Sequence, residues 1–412
     1  MQQFTGFEYI LIDIANQTEH DKLSFGERIQ WVKTHMDELE TLADSADKKP
    51  LFIKAVMALR KAQNHQPTGH LVGFDATCSG MQIMSTLTGC VAGATATGLV
   101  ENKRADAYTA CTDLMNNILK EDGLSVNVTR KQAKQALMTM LYGSVKKPIE
   151  LFGEGTPELK AFYQAAYTLS PGSYKLLEDL KKSWQPYKTF HSWQLPDGFN
   201  ARVKVMEKIE GQAKNRIQVE ELDGASFTYI WYENNGQQRG ISNIANEVHS
   251  VDAYVLRCIH RRCNYNANAV ETAREILQEA LDNPQLAKQD KAIEYYKDLY
   301  QRSHMADVVI LPHLTEENVH SLSHQHIEEL LDVIDSMLVH KPFEVVTVHD
   351  EFKCHPNHMN HLRQHYINVF AEMADADILS MVFSGIFGRK IKYNKFSNEL
   401  SGLIRNSNYA LT

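Results

Sequence analysis

Gly73-Phe74-Asp75-Ala76-Thr77-Cys78-Ser79-Gly80-Met81-Gln82 decides how this chain is read. The apolar run from His70 to Phe74 predicts a buried strand, and Ser79 marks the start of a helix. An Asp that leaves the end of such a strand and enters a small-residue turn is held rigidly and faces outward. A carboxylate so placed suits a Mg²⁺ ligand, and the same residue could equally serve as a turn or helix cap. The stretch from Ala76 to Val100 carries no charge. It is rich in Gly, Thr and Ser and contains Gln82, so it reads as two packed helices rather than a membrane span.

Two further blocks lie downstream. In Arg130-x3-Lys134-x7-Tyr142-Gly143, positions 130, 134, 138 and 142 fall on one helical face. That face presents Arg, Lys, Met and Tyr, and residues 125–149 hold five cations and no acid. Two cations one turn apart can grip a polyphosphate, and the Tyr can meet its base or sugar; a solvated basic face with a core Tyr has the same pattern. The third block is Val348-His349-Asp350-Glu351, at the turn of a hairpin predicted over 343–354 by its apolar-polar alternation. A polar turn is the plain reading; a second rigid carboxylate is the functional one. Two strand-end Asp residues with a basic helix between them in sequence are what template-directed phosphoryl transfer requires.

The chain has 412 residues, 43% hydrophobic and 23% charged, with a net charge of −8. That is a globular chain of two or three lobes, neither disordered nor collagenous. Its six cysteines form no C-x-x-C pair, so they read as reduced thiols of a cytoplasmic protein. A strand is predicted at Glu8 to Ile14. Helices are predicted near 26–45, 50–62, 105–120, 129–142 and 357–387. Strands are predicted over 197–232, broken by Pro196-Asp197-Gly198 and Asn234-Asn235-Gly236. An acidic balance argues against nucleic acid until it is counted by region. Residues 266–340 hold 14 acids and five cations, a net −9 that leaves +1 for the rest. That segment reads as an inserted acidic helical module. Its His313, His320, His324 and His326 are read as surface histidines in preference to a zinc site.

The three blocks resemble motifs A, B and C of the phage and mitochondrial type of single-subunit DNA-dependent RNA polymerase. Four other segments agree in order: Asp21-Lys22-x2-Phe25-x-Glu27-Arg28-Ile29, Pro196-Asp197-Gly198-Phe199, His249-Ser250-x-Asp252 and Ser407-Asn408-Tyr409-Ala410-Leu411. The resemblance implies an α+β, mostly helical, right-hand polymerase: a palm with an antiparallel sheet, and helical fingers. Residues 1–92 would begin the palm, 93–249 would be fingers with the motif B helix at 129–143, and 250–412 would complete the palm and end in a C-terminal foot. Asp75 and Asp350, with the Ala76 carbonyl, would bind two Mg²⁺ ions. Arg130 and Lys134 would hold the incoming triphosphate, and Lys134 could protonate pyrophosphate. Lys22 would add a phosphate-side cation. Tyr142 and Gly143 would gate the nucleotide pocket, His249 would reach the ribose 2′-hydroxyl, and His349 would lie near the transcript 3′ end.

Family-A DNA polymerases resemble this pattern too, and their motif C usually reads His-Asp-Glu, as here. They carry a bulky Glu five residues after the motif A Asp, where this chain has Gly80. They often have Phe where it has Met138. Both positions favour ribonucleotides, and Glu351 is the departure. The family also has an N-terminal domain, a thumb and a D-x-x-G-R element before motif A, none of which the 74 residues preceding Asp75 spell. This resembles the larger subunit of the heterodimeric RNA polymerase II of N4-type phages. The implied partners are a second polymerase subunit, DNA template, RNA transcript, nucleoside triphosphates and an accessory protein that delivers single-stranded promoter DNA. No membrane is implied, and the setting would be the cytoplasm of an infected bacterium. The alternatives are a DNA polymerase, a His-Asp metal phosphohydrolase built on His249, His349 and Asp350, and a decayed scaffold. The phosphohydrolase leaves the Arg130–Lys134–Tyr142 face unexplained. A decayed scaffold would not keep a competent residue at every catalytic position.

Overall fold

Thr5 and Glu8 form a capping box, each side chain accepting from the other's backbone N–H, and α1 (Gly6–Asn16) follows. The strand predicted at Glu8 to Ile14 is therefore a helix. Tyr9 through Ala15 are all buried, and a run buried on every side has no period to separate helix from strand. The structure is a computed structural model that describes residues 1–412 except 101–102, 206, 209–214, 230–231 and 234–239. The predicted Asn234-Asn235-Gly236 turn lies outside the described residues.

The chain is mostly helical with small antiparallel sheets. It runs α1, α2 (Phe25–Thr34), α3 (Lys49–Gln63), β1 (Val72–Asp75), α4 (Ser79–Thr88), α5 (Val91–Ala96), α6 (Ala107–Glu121) and α7 (Arg130–Leu141). Next come α8 (Lys146–Phe152), α9 (Pro157–Leu169), α10 (Pro171–Lys182), β2 (Phe190–Gln194), β3 (Asn200–Lys204), β4 (Glu207–Lys208), β5 (Asn215–Val219), β6 (Ala225–Tyr229) and β7 (Tyr232–Glu233). The remainder is α11 (Ser242–Cys263), α12 (Ala267–Asp282), α13 (Lys291–Ser303), α14 (His324–Leu338), β8 (Val346–Val348), β9 (Glu351–Cys354), α15 (Met359–Asp375), α16 (Ile378–Phe387) and α17 (Leu400–Arg405). Of the predicted helix 26–45, only α2 and a short 3₁₀ turn at Thr41–Ser45 form.

One three-stranded sheet positions the site. Its order is β1-β9-β8, and both pairings are antiparallel. Val72 faces Cys354 and Asp75 faces Glu351, so the strand ends bearing Asp75 and Glu351 meet at one edge. Beyond Asp75 the chain's last residues extend the ladder. Asp75 and Thr412 exchange backbone bonds of 3.1 and 3.0 Å, and Ala76 bridges Leu411.

The main apolar core gathers α1–α7, α9–α11 and α15–α17 around this sheet. A second apolar cluster runs from Val270 to Met337 and is built by α12–α14 with the intervening turns. The entry and exit of that segment meet where the Phe343 N–H donates to the Cys263 carbonyl at 2.8 Å. Tyr265 fastens the same place by donating to the carbonyls of Met337 and His340. Asp197, in the turn between β2 and β3, accepts from Arg257 and Arg261 of α11, and Arg261 also pairs with Asp307 at 2.9 Å. Among the described residues no helix is long and apolar enough to cross a membrane.

Glu247 of α11 is fully buried, and neither carboxyl oxygen has a hydrogen-bond partner among the described residues. Burial pushes its pKa up to about 8 from an ordinary 4.5. The folded chain therefore binds this proton more tightly than the unfolded chain. That contribution is fully present below about 4.5 and is lost as pH rises through 8. Glu247→Gln removes the dependence. The melting temperature of wild type relative to the variant should fall progressively from pH 5 to pH 9, and a pH-independent difference would contradict the assignment.

Candidate active site

A cleft of about 770 Å³ opens where β1, β9, α4, α7 and α11 converge. Asp75 ends β1 and stands at its mouth, accessible to solvent yet ringed by protein. The turn after it is tight: Cys78 takes left-handed backbone angles (φ 56°) before α4 begins. Asp350 arrives from the other side. It follows His349, which is also left-handed (φ 56°), in the two-residue connection between β8 and β9. The Ala76 N–H reaches the Asp350 carbonyl at 3.4 Å, so the two turns touch. Enclosure, together with the charges of Asp350 and Glu351, raises the Asp75 carboxyl to about 6. Asp252 of α11 also lines the cleft; burial, with Asp350 adding, raises it to about 6 as well. The site is thus an accumulation of negative charge that a cation would relieve.

Opposite lies α7. Thr129 and Gln132 make its capping box, which fixes where the helix starts and so where Arg130 and Lys134 sit. Both line the cleft, as does Met138. Tyr142 is not on the helix but is its C-cap residue. Its ring lies 4.8 Å from that of His249 on α11. A Cβ built on Gly80 would rest 3.7 Å from the Tyr142 hydroxyl. Gly80, Tyr142 and His249 therefore form one wall, and a long side chain at position 80 would run into it. Gly143 does not line the cleft. It supplies the turn (φ 88°), and a Cβ there would come within 2.9 Å of Ile244. Lys22 lines the rim, paired with Asp21 at 2.6 Å.

Several cleft residues were not singled out in the sequence. Arg104 is largely buried, which lowers its pKa, and its Nη1 donates to Thr77 Oγ1 at 2.8 Å. Asp106 caps α6 and pairs with Arg130 at 2.7 Å. Tyr108 lies under the Arg130 guanidinium at 5.7 Å and the Lys134 ammonium at 5.2 Å. An Asp ahead of a helical run is the one signal that marks Asp106, and an N-cap gives no hint of a distant partner.

Among the described residues no group of three or more His, Cys, Asp or Glu side chains is arranged to hold a metal ion. Asp75, Asp350 and the Ala76 carbonyl would offer a metal two carboxylates and a carbonyl. That fits Mg²⁺, which keeps waters and takes its remaining ligands from substrate phosphates. His320 is partly covered and His324 exposed, whereas His326 is buried and stacks on Tyr300 at 3.8 Å. His326 thus departs from the surface reading. Asp350→Asn should return the Asp75 carboxyl toward its ordinary 3.8 from about 6. A carboxyl ¹³C NMR titration of metal-free protein reads this directly, and an unchanged midpoint would mean that Asp350 does not act on Asp75.

Residues 3–150, which contain β1, the turn after it and α7, match the family model for DNA-dependent RNA polymerase. The DNA-directed RNA polymerase of Pseudomonas phage phiKMV is 27% identical over an alignment that covers 35% of this chain. That alignment spans 22% of the phage enzyme's own length. Over its first 150 residues this chain is similar to the DNA-dependent RNA polymerase family.

Proposed function

We propose that this chain carries the catalytic palm and fingers of a phage-type DNA-directed RNA polymerase and joins ribonucleotides on a DNA template. The observation that carries the reading is the cleft itself. Two strand-end carboxylates face two helix-borne cations across a wall made by Gly80, Tyr142 and His249, within a chain whose first third matches the polymerase family. Asp75, Asp350 and the Ala76 carbonyl would hold two Mg²⁺ ions. When bound, such ions would supply activation of a 3′-hydroxyl and neutralisation of the triphosphate charge.

The remaining work falls to this chain's own side chains. Arg130 and Lys134 orient the triphosphate, and Lys134 can give a proton to departing pyrophosphate. Lys22 extends the cationic side. His249 and Tyr142 meet the sugar, and the absent side chain at Gly80 leaves room for its 2′-hydroxyl. His349 presents the transcript end. In this reading the template, transcript and nucleoside triphosphates are the ligands. A second polypeptide of the N4 type and a promoter-delivering accessory protein complete the machine.

A DNA polymerase remains the second reading because Glu351 follows Asp350, its carboxylate paired with Lys353 at 3.1 Å. Primer extension on a defined template, with ribo- or deoxyribonucleotides and with or without co-purifying proteins, separates the two. Asp350→Asn should reduce nucleotide addition by at least about a thousandfold while template binding survives. Retained extension would sink the two-metal assignment. Gly80→Glu should penalise ribonucleotides about a hundredfold more than deoxyribonucleotides, and equal loss of both would refute the steric argument.

A further inference from the structure

We propose that Asp106 is a positioning residue of the nucleotide site, presetting the Arg130 guanidinium for a triphosphate. The inference rests on the polymerase reading above and adds a residue to it.

The two oxygens of Asp106 have separate duties. Oδ1 accepts from the backbone N–H groups of Tyr108 and Thr109, at 3.0 and 3.2 Å, and so caps α6. Oδ2 accepts from Arg130 Nε at 3.0 Å and Nη2 at 2.7 Å, and from the Thr109 hydroxyl at 3.0 Å. Burial alone would raise the Asp106 carboxyl. The bonds from Arg130 and Thr109 outweigh it and hold the pKa below the ordinary range.

Both bonds to Asp106, and a third from Nε to the Thr109 hydroxyl at 3.1 Å, leave from one edge of the Arg130 guanidinium. The Nη1 edge is then left to donate to an anion in the cleft. Arg130 opens α7, so the helix N-terminus adds positive potential at the same place.

The ring of Tyr108 supports Arg130 and Lys134 together. Four residues earlier, Arg104 donates to the Thr77 hydroxyl at 2.8 Å. The segment from Arg104 to Tyr108 therefore spans from the turn after Asp75 to the cation-bearing face of α7. It fixes the distance over which a triphosphate must reach.

A carboxylate beside a phosphate-binding Arg has a cost, because it offsets part of the charge. The Arg130 side chain is 40% exposed, so water screens that loss. A held rotamer is not screened, and it spares the entropy of ordering a long side chain on binding. Orientation therefore wins.

The test is equilibrium binding of Mg·ATP to the full chain by titration calorimetry. In Asp106→Asn the amide oxygen can keep the cap while the NH₂ confronts the donors of Arg130. In Asp106→Ser the hydroxyl caps but does not reach Arg130. Both variants should raise the ATP Kd about tenfold, leave AMP binding unchanged and shift the melting temperature little. The defect should vanish in an Arg130→Ala background. An unchanged ATP Kd, or an equal loss when Arg130 is already Ala, overturns the proposal and leaves the polymerase reading standing. Failure of the wild-type chain to bind ATP even with template and co-purifying proteins present overturns both.

Discussion

The pairing of β1 with β9 is the constraint on which the rest depends. It is four residue pairs long, and it sets Asp75 across from Glu351 and one step from Asp350. Side chains alternate along a strand, so a one-residue slip would send Asp75 to the opposite face. Phe74 and Phe352, paired and buried between the helices, make that slip expensive. The bonds to Thr412 close the other side of β1. The carboxylates are held by a ladder that their own repulsion does not disturb.

The cleft shows a division of electrical labour. One wall gathers Asp75, Asp252, Asp350 and Glu351, and the facing wall carries Arg130 and Lys134. Neither wall is neutralised by the other. Arg130 is partnered instead by Asp106 and Lys134 by an aromatic face, which leaves both cations orientated yet able to donate. An overall charge of −8 gives no sign of this arrangement, because a nucleotide meets the local field rather than the average.

Much of this was legible in the letters, and for physical reasons. The His70–Phe74 run and the Val345–Val348 alternation announced strands, and a charged residue leaving a strand end has few places to point. Met138 and the two cations of α7 followed from helical spacing. The letters do not separate α1 from a strand, because burial on all sides erases periodicity. The Asp106–Arg130 contact was invisible because 24 residues separate the partners, and only the packing of α6 on α7 brings them together. Helical spacing carries α7 on through Tyr142, whereas the helix ends at Leu141 and Tyr142 caps it. Periodicity says where a face lies but not where a helix stops.

The hydrogen bond from Phe343 to Cys263 has a consequence for how the chain is organised. Residues 264–342 leave and re-enter the body at one point, so to the main core they are a closed loop. The entropy of closing a loop grows only with the logarithm of its length. The acidic excursion can therefore be long, and can carry its own apolar cluster, at little expense to the register of the sheet beside it. Away from Asp307, which pairs with Arg261 of α11, its exposed charges can vary while the carboxylates at the strand ends stay where they are.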